Sequence, residues 1–243
     1  MNSFTLLPAL MTLIASPQPA SMCGQDDRFL TQESAVGYVT ARPATSNQRS
    51  PVCTITLISD SCALTAGHCL EALESAVFQA ADATGHSAPL NTRTYAVDKN
   101  SVAALQTRIG NDWAVVRLKE NEVTGLRPGK VHGFLEPELD PAFPPEASLE
   151  VTTAEKDEQS TGFVQWKSDG STLWTEGSIL YHDLDTGKGS SGSLVLNRSN
   201  GKAVAIHTHG GCETMKNNKA TIIARVPNLV RSIRACRMGL RQW

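Results

Sequence analysis

The sequence predicts an all-β protein in two halves, followed by one α-helix at the carboxyl end. Short β-branched or aromatic runs recur along most of the 243 residues, a proline-rich stretch interrupts them, and the last segment changes to helical periodicity. With 40% hydrophobic and 19% charged residues, the composition is that of a globular protein with a packed core. A formal net charge of −2 argues against a protein that follows nucleic-acid phosphates.

Residues 1–20 are predicted to be a signal peptide. The run LLPALMTLIA has the length of a signal-peptide core, and small residues and prolines follow it. The run is shorter than the roughly 20 apolar residues that span a bilayer. We therefore expect a secreted protein, extracellular or periplasmic, that leaves the membrane when the signal is removed. Because no Lys or Arg precedes Leu6, a buried amino-terminal helix or a misassigned start codon stays open.

Residues 21–34 are interpreted as an amino-terminal segment or short propeptide, and the predicted strands follow in two series. The first series, at 35–133, and the second, at 147–226, are separated by a linker at 134–146 that holds four prolines, which cannot donate to a β-ladder. The runs are mostly too short for helices, and their spacing is typical of sandwiches and barrels. They cover residues 35–40, 52–58, 62–66, 94–97, 113–118, 149–153, 161–166, 172–180, 193–197, 203–207 and 221–226.

Residues 227–243 predict a C-terminal helix. Leu229, Ile233 and Cys236 fall on one helical face, and arginines lie between them. Pro227 is placed to begin the helix and Gly239 to end it. We interpret the basic face as solvated surface.

Three short segments carry residue types that are typical of catalysis. LTAGHC places His68 after a predicted strand, NDWAVV places Asp112 at the mouth of an apolar strand, and GKGSSGS forms a loop before another strand. Each segment alone has an ordinary interpretation, as a turn histidine, a strand-capping aspartate or a hairpin loop. In this order, however, they supply a base, an orienting carboxylate and a nucleophile, as serine hydrolysis requires.

With these motifs the chain closely resembles the chymotrypsin-like, trypsin-fold serine endopeptidases, over residues 35 to 226. The resemblance implies two packed six-stranded antiparallel β-barrels, at 35–133 and 147–226, with the active site between them. It also implies a triad of His68, Asp112 and Ser191 that works through an acyl-enzyme. The backbone N–H groups of Gly189 and Ser191 would form the oxyanion hole, and Ser190 is the rival nucleophile.

The resemblance also suggests a disulfide and a branch of the family. Cys53 and Cys69 look like the pair that closes the histidine loop. The other four, Cys23, Cys62, Cys212 and Cys236, allow three pairings, and Cys62 could also be a buried thiol. Trypsin-like members have an aspartate before the nucleophile that receives a new amino terminus, whereas this chain has Ser190. The segments DLDT, GSSGS, IH and GG, between residues 183 and 211, look more like the bacterial glutamyl-endopeptidase branch.

The resemblance leaves the substrate preference open among acidic, basic and small or polar residues. Asp185 lies where trypsin-like enzymes recognise Lys or Arg, whereas Thr186 and His207 match positions with which the glutamyl branch binds a carboxylate. An Asp185–His207 pair would instead make the pocket nearly neutral. Thr208 and Gly210 would line the strand that pairs with the substrate backbone.

Two other classes of function compete with an endopeptidase. His207, His209 and Cys212 could supply three zinc ligands, although no second cluster at zinc spacing accompanies them. A catalytically silent protease fold could serve as a binding protein, but inactive relatives usually lose a triad residue and this chain keeps all three. We expect protein or peptide substrates, no cofactor, no metal, no nucleic acid and, although the sequence does not determine it, a monomer.

Overall fold

The structure is a computed structural model that describes residues 21–40, 53–78, 88–140, 146–156 and 163–240. The predicted signal peptide lies outside these residues. The strands are β1 Phe29–Thr31, β2 Val36–Thr40, β3 Thr54–Leu57, β4 Cys62–Thr65, β5 Ser75–Phe78, β6 Thr94–Ala96, β7 Ala103–Gln106, β8 Asp112–Arg117, β9 Ser148–Lys156, β10 Phe163–Glu176, β11 Ile179–His182, β12 Leu194–Asn197, β13 Lys202–His209 and β14 Asn218–Ile222. The α-helices are α1 Pro128–His132, α2 Cys212–Met215 and α3 Pro227–Arg237, and short 3₁₀ turns cover Gly67–Ala72, Leu90–Thr92, Lys99–Ser101 and Ile223–Arg225.

The second half of the chain forms a closed six-stranded barrel, as the family resemblance implies. Its strands are ordered β10-β11-β14-β13-β12-β9, and pairing between β9 and β10 closes the ring. Every pairing in it is antiparallel. Strand β1 adds to β10, with Phe29 opposite Lys167, so the amino-terminal segment joins the second barrel.

The first half forms a curled half-barrel sheet, which agrees with the predicted trypsin-like fold although this half is less closed than the second barrel. The sheet has the order β6-β5-β2-β3-β4-β8-β7. In the described part of the chain, the isolated bridge between Val97 and Leu118 links the end of β6 to the end of β8. Among the described residues, two hydrogen bonds accompany this bridge, from Asp98 N–H to Arg117 O and from Lys119 N–H to Ala96 O, at the end of the three-residue strand β6.

The two halves share an apolar core that also holds the carboxyl end of the chain. This core includes Leu64 and Val115 from the first sheet and Leu194 and Ile206 from the second barrel. The C-terminal helix prediction is confirmed, because α3 begins at Pro227 and buries its apolar face in the core. A disulfide joins Cys62 to Cys236 and ties α3 to β4. In the described ranges, no helix has the length and apolar character needed to cross a membrane.

His132, at the end of α1, is a buried histidine in the first half. Its ring centroid lies 5.2 Å from that of Phe78 and 5.6 Å from that of Tyr95, and the Tyr95 hydroxyl is 3.1 Å from Nε2. Its Nδ1 is buried and has no hydrogen-bond partner among the described residues. Burial, helped by the charge of Arg93, lowers the pKa of His132 from 6.5 to about 4.

This lowered pKa predicts that acid destabilises the fold through His132. Between pH 6.5 and about 4 the unfolded chain binds a proton that the folded chain does not, so the stabilisation present above pH 6.5 is lost as pH falls. The loss amounts to about 3 kcal/mol by pH 4. Urea unfolding of wild type and His132→Gln at several pH values would show a shallower decline in the variant. Parallel declines would contradict the prediction.

Candidate active site

His68 is held at the start of the 3₁₀ turn that follows β4. The disulfide between Cys53 and Cys69, predicted from the family resemblance, is present and fixes this turn to β3. Gly67 allows this turn to lie against Leu105 and Asp112. A Cβ at this position would collide with the backbone oxygen of Leu105 and lie 2.9 Å from an oxygen of Asp112. The histidine backbone can therefore sit directly against the aspartate.

Asp112 is the first residue of β8, which pairs with β4. Its carboxylate makes two hydrogen bonds with His68. Oδ2 lies 2.7 Å from His68 Nδ1, and Oδ1 accepts the His68 backbone N–H at 2.9 Å. The aspartate side chain is only 3% exposed. Burial opposes its ionisation, but the hydrogen bonds and charge of His68 outweigh burial and lower the pKa of Asp112. An ionised carboxylate in this position fixes the proton on Nδ1 and leaves Nε2 as an acceptor.

The loop that carries Ser191 is docked on β3, beside the strand that leads to His68. Thr54 donates its N–H to Ser191 O at 2.8 Å and its hydroxyl to Gly189 O at 3.0 Å. A Cβ on Gly192, whose φ is +91°, would collide with Thr54 O and Thr65 Oγ1. Only glycine adopts this backbone conformation without strain and leaves room for the approach.

The two candidate serines differ in their surroundings. Ser190 is buried, and its hydroxyl donates to Gly187 O. Ser191 is half-buried, and in the described part of the chain its hydroxyl has no hydrogen-bond partner, His68 included. Bonds between nucleophile and base are often long in unliganded enzymes and tighten when substrate binds. Ser191 is therefore the serine whose oxygen is available.

The two predicted oxyanion donors are also available. The backbone N–H groups of Gly189 and Ser191 donate to no acceptor in the described ranges. Gly189 has a φ of +107°, a conformation that glycine adopts at little steric cost. Next to His68 and Asp112 lies a cleft of ≈ 520 Å³, lined also by Gln106, Thr107, Arg108, Ile109, Thr208 and His209.

Asp185 does not lie open to a substrate cation. Its Oδ1 accepts the backbone N–H of Cys23 at 2.6 Å, and Asp185 as a whole is 4% exposed. Burial raises the pKa of Asp185 in spite of hydrogen bonds from the backbone of Cys23 and Asp27. The Asp185–His207 pair that the sequence left open is not formed, because Nδ1 of His207 instead lies 3.3 Å from Nε2 of His182.

Thr186 and His207 are both buried, and an asparagine that sequence reasoning missed holds Thr186. Asn218 donates its side-chain amide to Ser21 O at 2.7 Å, Leu184 O at 2.8 Å and Thr186 Oγ1 at 3.2 Å. No local motif marks Asn218, since its partners lie 32 to 197 residues away along the chain. Burial, with the charges of neighbouring imidazoles, lowers the pKa of His207 well below its usual range.

The sequence model of the trypsin-like peptidase domain matches residues 53–206 of this chain, which include His68, Asp112 and Ser191. The chain belongs to the trypsin-like peptidase family. No curated protein has a sequence that matches this peptidase.

Solved structures show the same fold at low sequence identity. A Glu endopeptidase in complex with MPD has a TM-score of 0.67 and 19% identity, over 88% of this peptidase and 98% of that chain. A scabies mite inactivated protease paralogue has a TM-score of 0.59 and 13% identity, over 86% of this peptidase and 94% of that chain. Protease Anisep from Arthrobacter nicotinovorans has a TM-score of 0.58 and 14% identity, over 80% of this peptidase and 93% of that chain. Because an inactivated protein shares the fold, function must be argued from the site residues.

In this peptidase, residues 208–210 leave an edge of β13 uncovered by β12. The pairing of β12 with β13 runs as far as Leu194 opposite Ile206, and Gly192 and Ser193 extend the contact to His207. Thr208 turns its hydroxyl to Lys219 O at 3.4 Å, and Gly210 is exposed. An extended peptide can add to such an edge by main-chain hydrogen bonds.

The zinc alternative is wrong for this peptidase, because Cys212 forms a disulfide with Cys23 and has no thiolate to offer. Another group with ligand-like spacing, Cys53, His68 and Cys69, also contains two bridged cysteines. The pairings that the sequence left open are therefore Cys23–Cys212 and Cys62–Cys236.

Proposed function

We propose that this protein is a secreted serine endopeptidase that hydrolyses peptide bonds through His68, Asp112 and Ser191. The observation that carries the proposal is the two-point contact between His68 and the buried carboxylate of Asp112, beside the docked loop of Ser191. Three disulfides and the apolar amino-terminal run support secretion, since disulfides persist in oxidising compartments.

The proposed reaction has two acyl-transfer steps. His68 Nε2 takes the proton of Ser191 as Oγ attacks the scissile carbonyl carbon, and the N–H groups of Gly189 and Ser191 stabilise the resulting oxyanion. The intermediate collapses when His68 gives this proton to the leaving amine, which leaves an ester on Ser191. A water molecule, deprotonated by His68, then attacks the ester carbonyl. The bond to Ser191 Oγ breaks, the acid product leaves, and His68 returns the proton to Oγ. Throughout, Asp112 stabilises the imidazolium that forms on His68.

We further propose a preference for substrates with Glu or Asp before the scissile bond. Asp185 already accepts backbone N–H groups of the amino-terminal segment, which argues against a site for Lys or Arg. His207 and Thr186 provide polar groups instead, and Asn218 holds the Thr186 hydroxyl in place. An entering carboxylate would favour protonation of His207, whose pKa is lowered by burial. Binding of an acidic residue would therefore take up a proton and weaken as pH rises.

Digestion of an unbiased peptide library by the purified protein tests this proposal. We expect cuts after Glu or Asp in wild type and none in Ser191→Ala, with product termini identified by mass spectrometry. His207→Gln should reduce the preference for Glu over Gln about 10- to 100-fold, because a hydrogen bond to a charged group is lost. Cuts after Lys or Arg that disappear in Asp185→Asn would contradict the acidic preference. A folded wild type as inert as Ser191→Ala would favour a catalytically silent binding protein.

A further inference from the structure

Glu155, on β9, is a buried carboxylate outside the triad, and both of its oxygens are engaged. Oε1 accepts the backbone N–H of Gly187 at 2.8 Å and the hydroxyl of Thr153 at 2.8 Å. Oε2 accepts Nη1 of Arg28 at 2.7 Å. Glu155 is 5% exposed, so its charge requires this compensation. A carboxylate inside the second barrel thus contacts the loop that leads to Ser191.

Arg28 supplies the opposite charge from the amino-terminal segment. Its side chain is 8% exposed and lies over the ring of Trp166, 5.1 Å from the centroid. Asp26 accepts two further hydrogen bonds from the guanidinium, each at 2.9 Å. Burial opposes the charge on Arg28, but Asp26 and Glu155 outweigh it and raise the pKa of the guanidinium. The guanidinium therefore stays cationic beside Glu155.

The peptide groups of Gly187 are held from both ends. Glu155 accepts its N–H, while its carbonyl accepts the N–H and the hydroxyl of Ser190. A Cβ on Gly187 would collide with Glu155, so the loop and the carboxylate are in direct contact. The turn from 187 to 190 contains Gly189, one proposed oxyanion donor, and ends next to Ser191, the other. Its conformation decides where both N–H groups point.

We propose that Glu155, paired with Arg28, is a positioning residue. It holds the oxyanion-hole loop, residues 187–191, in the conformation that directs the N–H groups of Gly189 and Ser191 towards the substrate. In this chain Ser190 occupies the position at which trypsin-like relatives hold the loop through an ion pair with a new amino terminus. The Arg28–Glu155 pair brings an internal cation and anion to the same loop. This inference rests on the proposed function, because it assigns the pair a role in the same reaction.

The amino-terminal segment is attached to the second barrel on both sides of Arg28, which holds this arginine beside Glu155. Cys23 is bonded to Cys212, and the segment continues into β1, which pairs with β10. Thr186 also donates its N–H to Ser21 O at 3.3 Å. From Ser21 onward the segment thus contacts the chain before Ser191 directly, at Asp185 and Thr186, and reaches Gly187 through the Arg28–Glu155 pair.

Steady-state kinetics of Glu155→Gln test the inference. Gln keeps the size of Glu but gives up one acceptor, so it cannot accept from both Gly187 and Arg28. We expect kcat to fall about 10- to 100-fold while KM changes less than about twofold, since the oxyanion donors act mainly in the transition state. The affinity for a peptide boronic acid, which mimics that state, should fall by a similar factor. Arg28→Met should behave in the same way, and Arg28→Lys should restore part of kcat.

Glu150→Gln is the matched control, because Glu150 lies on the same strand and pairs with Lys167 at 3.0 Å, away from the loop. Its kcat should be that of wild type. If Glu155→Gln also keeps the wild-type kcat, the inference is overturned while the proposed function stands. An inert wild type overturns both. If Glu155→Gln does not fold, Arg28→Met, which removes the paired cation, takes its place, and an unchanged kcat there overturns the inference.

Discussion

Ser191→Ala is expected to lower kcat for peptide hydrolysis by on the order of 10⁶-fold, since no oxygen remains to form the acyl-enzyme. The same variant should no longer react with a fluorophosphonate, which labels serines activated by a neighbouring base. Ser191 is the half-buried serine whose hydroxyl has no partner among the described residues. Intact-protein mass spectrometry of the labelled sample measures the second effect, and single-turnover hydrolysis measures the first.

Ser190→Ala is the matched control, because it removes the same hydroxyl one residue earlier. The Ser190 side chain is buried and donates to Gly187 O, so it is not free to attack a carbonyl. We expect this variant to retain labelling, with some loss of kcat if the turn from 187 to 190 loosens. Loss of labelling in Ser190→Ala but not in Ser191→Ala would overturn the assignment of the nucleophile.

The parts of the site that could be predicted from sequence depend on contacts within short segments. His68 lies between Gly67 and Cys69 in one turn, and Ser191 lies in a Gly- and Ser-rich loop, so residue type and neighbours identify both. The C-terminal helix could be predicted for the same reason, since its apolar spacing and its proline are local. The family resemblance then related these segments to one another.

The parts that could not be predicted depend on contacts between distant segments. Arg28 and Glu155 lie 127 residues apart, and neither belongs to a recognisable motif. Thr221, from β14, donates its hydroxyl to Asp112 O at 3.2 Å across the two halves, and no periodicity indicates this. Asp185 resembles a pocket aspartate by position alone, whereas its actual partner is the backbone of Cys23.

The predicted limits of the strands differ from the observed ones where the local residue pattern was ambiguous. The strand predicted at 172–180 is split by a turn around Gly177, whose φ of +54° interrupts the extended backbone between β10 and β11. The strand predicted at 221–226 belongs to β14 only as far as Ile222, after which a 3₁₀ turn begins. Strands β5 and β7 were not predicted. Half of β7, AALQ, is alanine, which has low β-propensity, and β5, SAVF, contains Val and Phe but is too short to show a clear alternation.

Asp112→Asn is expected to lower kcat by about 10⁴-fold near pH 7 while leaving the fold in place. The reason lies in the two contacts that the carboxylate makes. The backbone N–H of His68 can only donate, so the amide oxygen of Asn must take the place of Oδ1, and the amide NH₂ must then face Nδ1. Nδ1 is thereby forced to accept, the ring proton moves to Nε2, and the base can no longer take a proton from Ser191.

This prediction separates an orienting carboxylate from a merely buried one. Histidine ¹⁵N chemical shifts would show the proton of His68 on Nδ1 in wild type and on Nε2 in Asp112→Asn, alongside the loss of kcat. Asp98→Asn is the matched control, since Asp98 accepts the Asn100 N–H at the cap of a surface turn and should leave kcat unchanged. If Asp112→Asn lowered kcat less than about tenfold, or left the tautomer unchanged, Asp112 would not set the proton position on His68, and the two-point contact would serve the fold alone.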